Sequence, residues 1–201
     1  MLWVNKSYST GEVRLHADDP MGMPDVDFNM CSDERDLERL KIGTRFMAKL
    51  CEKQGLQEKL HDVFPISYSD RARRYAVYNI SNKFQTWVGG QSMDLSGPLR
   101  RWVIRNFISD GLTVRDILED DDTMTKWIHK TVLGHYHASC TNRMGAPDDP
   151  GAVTDPSAKV YGVKGLRVAD ASIMPAVPCA NTNFPTIMVG EKVAGTILAE
   201  G

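Results

Sequence analysis

Apolar residues recur at helical spacing in several stretches of this chain, with polar residues filling the positions between them. Leu37, Leu40, Ile42, Phe46, Met47 and Leu50 form one such series, and Ser32 stands before it as a helix cap. Its other face is polar, which predicts a helix lying on a surface. Pro98 to Ile108 predicts a second helix, with proline in the first turn where a missing N–H does little harm. Thr113 predicts the cap of a short helix through Ile117, and a further helix covers Asp122 to Lys130. The tail from Thr186 to Ala199 places Val189, Val193 and Ile197 on one helical face, beside Gly190, Ala194 and Leu198.

Other stretches predict strands and turns. Glu12-Val13-Arg14-Leu15-His16 is a short strand. Residues 66 to 92 mix aromatic and polar side chains, as in Tyr75 to Ile80 and Phe84 to Val88, and predict a β-rich region ending at Gly89-Gly90. Asp148-Asp149-Pro150-Gly151 is a turn signal and marks an organisational boundary. Beyond it, Ala158 to Tyr161 and Leu166 to Ala169 predict two strands joined through a Gly-containing turn.

Composition narrows the picture only modestly. The 201 residues are 42% hydrophobic and 25% charged, ordinary for a soluble globular protein of one large or two small domains. The formal charge of −2 gives no reason to expect nucleic acid or an anionic membrane as partner. No apolar run approaches the roughly 20 residues needed to span a bilayer, and the first residues are too short and mixed for a signal peptide. Cys31, Cys51, Cys140 and Cys179 lack CxxC spacing, so reduced thiols in a cytoplasm are the expectation.

Candidate chemistry gathers in the last third. His135 and His137 are two residues apart, and in an extended segment such residues share a face. A neutral imidazole there suits general-base work on an alcohol or water. Two structural histidines are the plainer reading. A zinc site of His135, His137 and Cys140 is a third, short of a fourth ligand. Asp170 follows a short apolar strand, where a carboxylate can accept hydrogen bonds from a cofactor's hydroxyls, or can simply form a turn. Asn181-Thr182-Asn183-Phe184-Pro185 suits a helix start, whose free N–H groups also favour an anionic ligand group.

These motifs carry a resemblance. Tyr-His-x-Ser-Cys-Thr-x-Arg-Met-Gly (136–145), then Gly-Leu-Arg-Val-x-Asp-Ala-Ser-Ile-x-Pro (165–175), then Asn-x-Asn-x-Pro-Thr-Ile-Met (181–188) resemble the C-terminal part of glucose–methanol–choline oxidoreductases, in a choline dehydrogenase-like form. Residues 135 to 199 carry it most specifically, and residues 7 to 60 agree more loosely. The resemblance implies an α+β fold with a mostly antiparallel sheet flanked by helices. It implies a substrate-binding portion over residues 1–146 and a segment over 147–201 returning to a flavin domain.

The same resemblance implies an FAD-dependent oxidation of a CH–OH group. His137 matches the family's catalytic histidine, Asn181 its second active-site position, and His135 falls outside the motif. Asp170 and Ala171 match a segment touching the flavin's sugar–phosphate region, and Asn181, Thr182 and Asn183 match one at the ring's pyrimidine edge. The family's Gly-x-Gly-x-x-Gly loop for the ADP half of FAD is missing here. The isolated chain is therefore expected to be colourless and inactive, and to need the FAD-binding portion, in the same enzyme or on a separate chain. A possible homo-oligomer, a non-enzymatic partner subunit of a split flavoenzyme, and a small zinc hydrolase complete the expectations.

Overall fold

The computed structural model describes residues 2–66, 74 and 77–200. Among the described residues, seven α-helices and a two-stranded sheet order as β1 (Glu12–Arg14), β2 (Asp25–Asp27), α1 (Glu34–Cys51), α2 (Gln54–Gln57), α3 (Ile80–Leu95), α4 (Gly97–Val103), α5 (Val114–Glu119), α6 (Asp121–Thr131) and α7 (Asn183–Glu200). A π-helical turn, Ile104–Ile108, continues α4, and a 3-10 turn covers Ala171–Ile173. Strands β1 and β2 pair antiparallel with Val13 opposite Val26. The class is α+β, with helix outweighing sheet among the described residues.

The chain divides into two compact units. One comprises Met1–Leu2 and Leu37–Val132, the other Trp3–Asp36 and Leu133–Gly201.

In the first unit, α1 follows the predicted periodicity, but Asp33 rather than Ser32 precedes it. The Asp33 carboxylate accepts the backbone N–H of Arg35 and is held at about 2 by the Arg35 guanidinium, then by that N–H. The helix buries a face other than its apolar one. Lys41 is only 6% exposed while Ile42 and Phe46 are 65% and 63% exposed. Lys41 Nζ bonds Asp121 Oδ2 at 2.7 Å and Glu38 Oε1 at 3.0 Å, which ties α1 to α6. Ile104, Ile117, Met124 and Ile128 are buried in the same unit.

Helix α3 overturns the β-rich expectation for 66–92, insofar as those residues are described; residues 67–73, 75 and 76 lie outside them. The Asn79 side chain caps α3 by accepting from Asn82 N–H, and both Gly89 and Gly90 continue the helix. Ile80, Phe84, Trp87 and Val88 are spaced i, i+4, i+7, i+8, which is helical rather than alternating. Cap and spacing outweigh two glycines, each costing roughly 1 kcal/mol in a helix. Thr113 and Asp116 form a full capping box at α5, as the sequence predicts.

The second unit is built on an apolar cluster of Ala158, Ile173, Met174, Val189 and Val193, against which Cys140, Met144, Val168 and Ala171 pack. The two strands expected over 158–169 shrink to bridges. Val160 N–H donates to the Leu166 carbonyl, and Val168 N–H to that of Ala158. Gly162 and Gly165 turn the chain between them at φ +75° and +77°, values that favour glycine.

Candidate functional site

All the residues singled out by the sequence for chemistry lie in the second unit. Three backbone hydrogen bonds align the histidine segment with the Asp170 turn. Cys140 N–H donates to Ala171 O (3.2 Å), Asn142 N–H to Ser172 O (2.9 Å) and Met144 N–H to Ile173 O (2.8 Å). Asn142 Nδ2 adds a bond to Ser172 Oγ. Helix α7 then packs Val189 and Val193 onto Ile173 and Met174. One core therefore fixes all three motifs, because each contributes a strip of backbone or an apolar side chain to it.

His135 and His137 meet, though not by strand alternation. Tyr136 between them has φ +59°, a left-handed value that breaks the extended run. The two imidazoles pack edge to face with centroids 5.4 Å apart. Trp3 stacks on His135, also at 5.4 Å, a contact for which no sequence signal exists.

His137 is half-buried, and its Nδ1 lies 2.9 Å from Thr182 Oγ1. Thr182 is buried and immediately precedes α7, while Asn181 and Asn183 on either side are exposed. The side chain that touches His137 is Thr182, between Asn181 and Asn183. No sequence reading singles out this contact; Pro185, third in α7, withholds one of the two N–H groups that a capping hydroxyl there could use.

Asp170 Oδ1 accepts the Ser172 N–H at 2.7 Å, capping the 3-10 turn, and the residue is exposed. Ala171 packs against the core. Cys140 faces the same core, its thiol within reach of Ser139 Oγ. That orientation explains why His135, His137 and Cys140 do not form a metal site. Among the described residues, no group of three or more His, Cys, Asp or Glu could hold a metal ion. A cavity of about 320 Å³, lined in part by Cys51, Leu60 and His61, belongs to the first unit, which holds none of the predicted site residues. No described helix is long and apolar enough to cross a membrane.

Comparison with known proteins places these features in a family. The GMC oxidoreductase family model, for the family's C-terminal part, matches residues 7–190. A 5-(hydroxymethyl)furfural oxidase from Methylovorus sp. is 40% identical over 200 residues, all of this chain and 31% of that protein. An oxygen-dependent choline dehydrogenase from Vibrio vulnificus is 29% identical over 194 residues, covering 96% of this chain and 26% of the enzyme. The chain thus spans a third or less of the curated relatives it matches. Among solved structures, an Aspergillus oryzae formate oxidase variant studied for its FAD modification superposes with TM-score 0.60 at 24% identity, over 95% of this chain and 25% of that one. The chain belongs to the GMC oxidoreductase family.

Proposed function

We propose that this chain is the C-terminal part of an FAD-dependent alcohol oxidoreductase. In it, residues 1–146 serve the substrate side and residues 147–201 return to the flavin domain. The contact between His137 and Thr182 carries the reading, because it joins the histidine motif to the start of α7. The residues present fit the cofactor. Asn181, Asn183 and Phe184 are open to solvent around a helix start, where N–H groups favour negative charge. Asp170 uses one carboxylate oxygen for its turn, and among the described residues the other has no hydrogen-bond partner. Asp170 and Ala171 would hold the sugar–phosphate side of FAD, and Asn181, Thr182 and Asn183 the ring's edge. Bound there, FAD supplies the acceptor for the hydride.

His137 takes the hydroxyl proton of the alcohol at its Nε2, since Nδ1 is engaged by Thr182. Asn181 orients the same hydroxyl with its carboxamide. Holding base and alcohol together spares the entropy of bringing them into line. The isolated chain is inactive in this reading, a cytoplasmic enzyme's C-terminal part rather than its whole. Two names among the relatives, an oxidase of a hydroxymethyl compound and a choline dehydrogenase, favour a small primary alcohol as substrate class.

The test is rapid-mixing measurement of flavin reduction in a complete enzyme carrying this segment. His137→Ala is expected to slow reduction on the order of 10²- to 10⁴-fold, and His135→Ala far less. Equal losses from the two replacements would remove His137 from the role.

A further inference from the structure

The Thr182 hydroxyl has an unusual situation for a residue that begins a helix. A threonine in this place ordinarily accepts from the backbone N–H two or three residues on. Here the third residue is Pro185, which has no N–H, and Thr182 Oγ1 makes no bond to the helix backbone among the described residues. Its one side-chain partner is His137 Nδ1 at 2.9 Å. The backbone carbonyl of Thr182 meanwhile accepts from both Thr186 N–H and Thr186 Oγ1, so the residue's frame is held independently of its hydroxyl. His135, with its ring edge-on to that of His137, limits rotation of the imidazole from another side.

We infer that Thr182 is a positioning residue for His137: its hydroxyl oxygen accepts the Nδ1–H, which leaves Nε2 bare as the proton-accepting atom. In neutral imidazole one ring nitrogen carries the hydrogen and the other accepts, and the partner of the first sets which is which. Pro185 withholds one of the two N–H groups that a cap would serve, and among the described residues no bond is made to the other, on Phe184, so the hydroxyl oxygen has its acceptor lone pairs free for Nδ1–H. The opposite arrangement, with the hydroxyl donating to Nδ1, would put the hydrogen on Nε2 and make His137 unable to accept a proton there. The inference rests on the proposed role of His137 for its catalytic meaning, but its physical content does not.

The decisive measurement needs no flavin. Long-range ¹H–¹⁵N correlation spectra of the 201-residue chain, above the titration of its histidines, report which His137 nitrogen holds the hydrogen. The Nδ1–H form is expected to dominate. Thr182→Val is expected to shift the ratio of the two forms toward Nε2–H by about three- to tenfold, the range for losing one net hydrogen bond, and Thr182→Ser to restore it. A role confined to holding the helix would leave the ratio unmoved in Thr182→Val. That result, or a dominant Nε2–H form in the parent chain, overturns the inference. Should Thr182→Val not fold, Thr182→Ala read against Thr182→Ser gives the same comparison. Because the proposed function is tested separately by flavin reduction in His137→Ala, failure of one leaves the other standing.

Discussion

Asp36 gathers four hydrogen bonds on a single carboxylate oxygen, from Ser7 Oγ, Tyr8 N–H, Ser9 N–H and Ser9 Oγ, at 2.7–2.9 Å. Only 3% of the residue is exposed. Burial pushes its pKa up, yet the bonds from Ser9, Tyr8 and Ser7 outweigh burial and the net shift is downward. A carboxyl with a depressed folded pKa stabilises the fold fully above its unfolded value, about 3.9. That contribution fades as pH falls through the lower folded value. Denaturant titrations between about pH 5 and pH 2 are expected to show stability declining with acid. Asp36→Asn should be less stable at pH 5 and show a flatter decline. At this scale the sequence singles out His137, Asp170 and the 181–183 turn, and the fold places all three in the second unit. It does not show which side chain of that turn touches the imidazole, because the choice depends on the direction in which α7 leaves it. Asp36 carries no signal at all, since its backbone and hydroxyl partners lie 27 or more residues away.

Among the elements, α7 is the one that assembles the site, and its hold is apolar. Ile173 is 1% exposed and meets Val189 and Val193 from the helix. Truncating Ile173→Ala removes that packing and opens a cavity, an expected loss of about 2–5 kcal/mol in equilibrium unfolding. The same variant should loosen the His137–Thr182 contact, visible as a shift of the His137 ring resonances; an unchanged spectrum would separate core from site. Helices α1, α4, α5, α6 and α7 are legible from 3.6-residue spacing, with the Thr113 cap agreeing at α5. Helix α3 is not, since aromatics beside Gly89-Gly90 weigh toward strand when composition is read before spacing. The strands over 158–169 are legible as pairing, though only bridges form, because Gly162 and Gly165 and the return at Asp155 leave little length to pair.

For the whole molecule, surface is the telling quantity. Among the described residues each unit exposes large apolar side chains, Trp87 and Leu95 of α3 in the first and Phe184 and Leu198 of α7 in the second. Exposed apolar area on this scale drives association. Sedimentation of the isolated chain is therefore expected to give masses above 22.4 kDa that rise with concentration. A single monomeric species at tens of micromolar would show that these faces are tolerated in water. The relatives the chain matches are longer, this chain covering 31% and 26% of two of them. Composition alone conceals the exposed faces, since the same 42% of hydrophobic residues suits a fully enclosed core.

Tyr136, between the two histidines in the chain and 97% exposed, gives the region an intrinsic reporter. Nitration of that phenol would install a coloured, pH-responsive group one residue from His137. Its absorbance would then register the arrival of any second polypeptide, or of a small molecule, over this face without a label being designed.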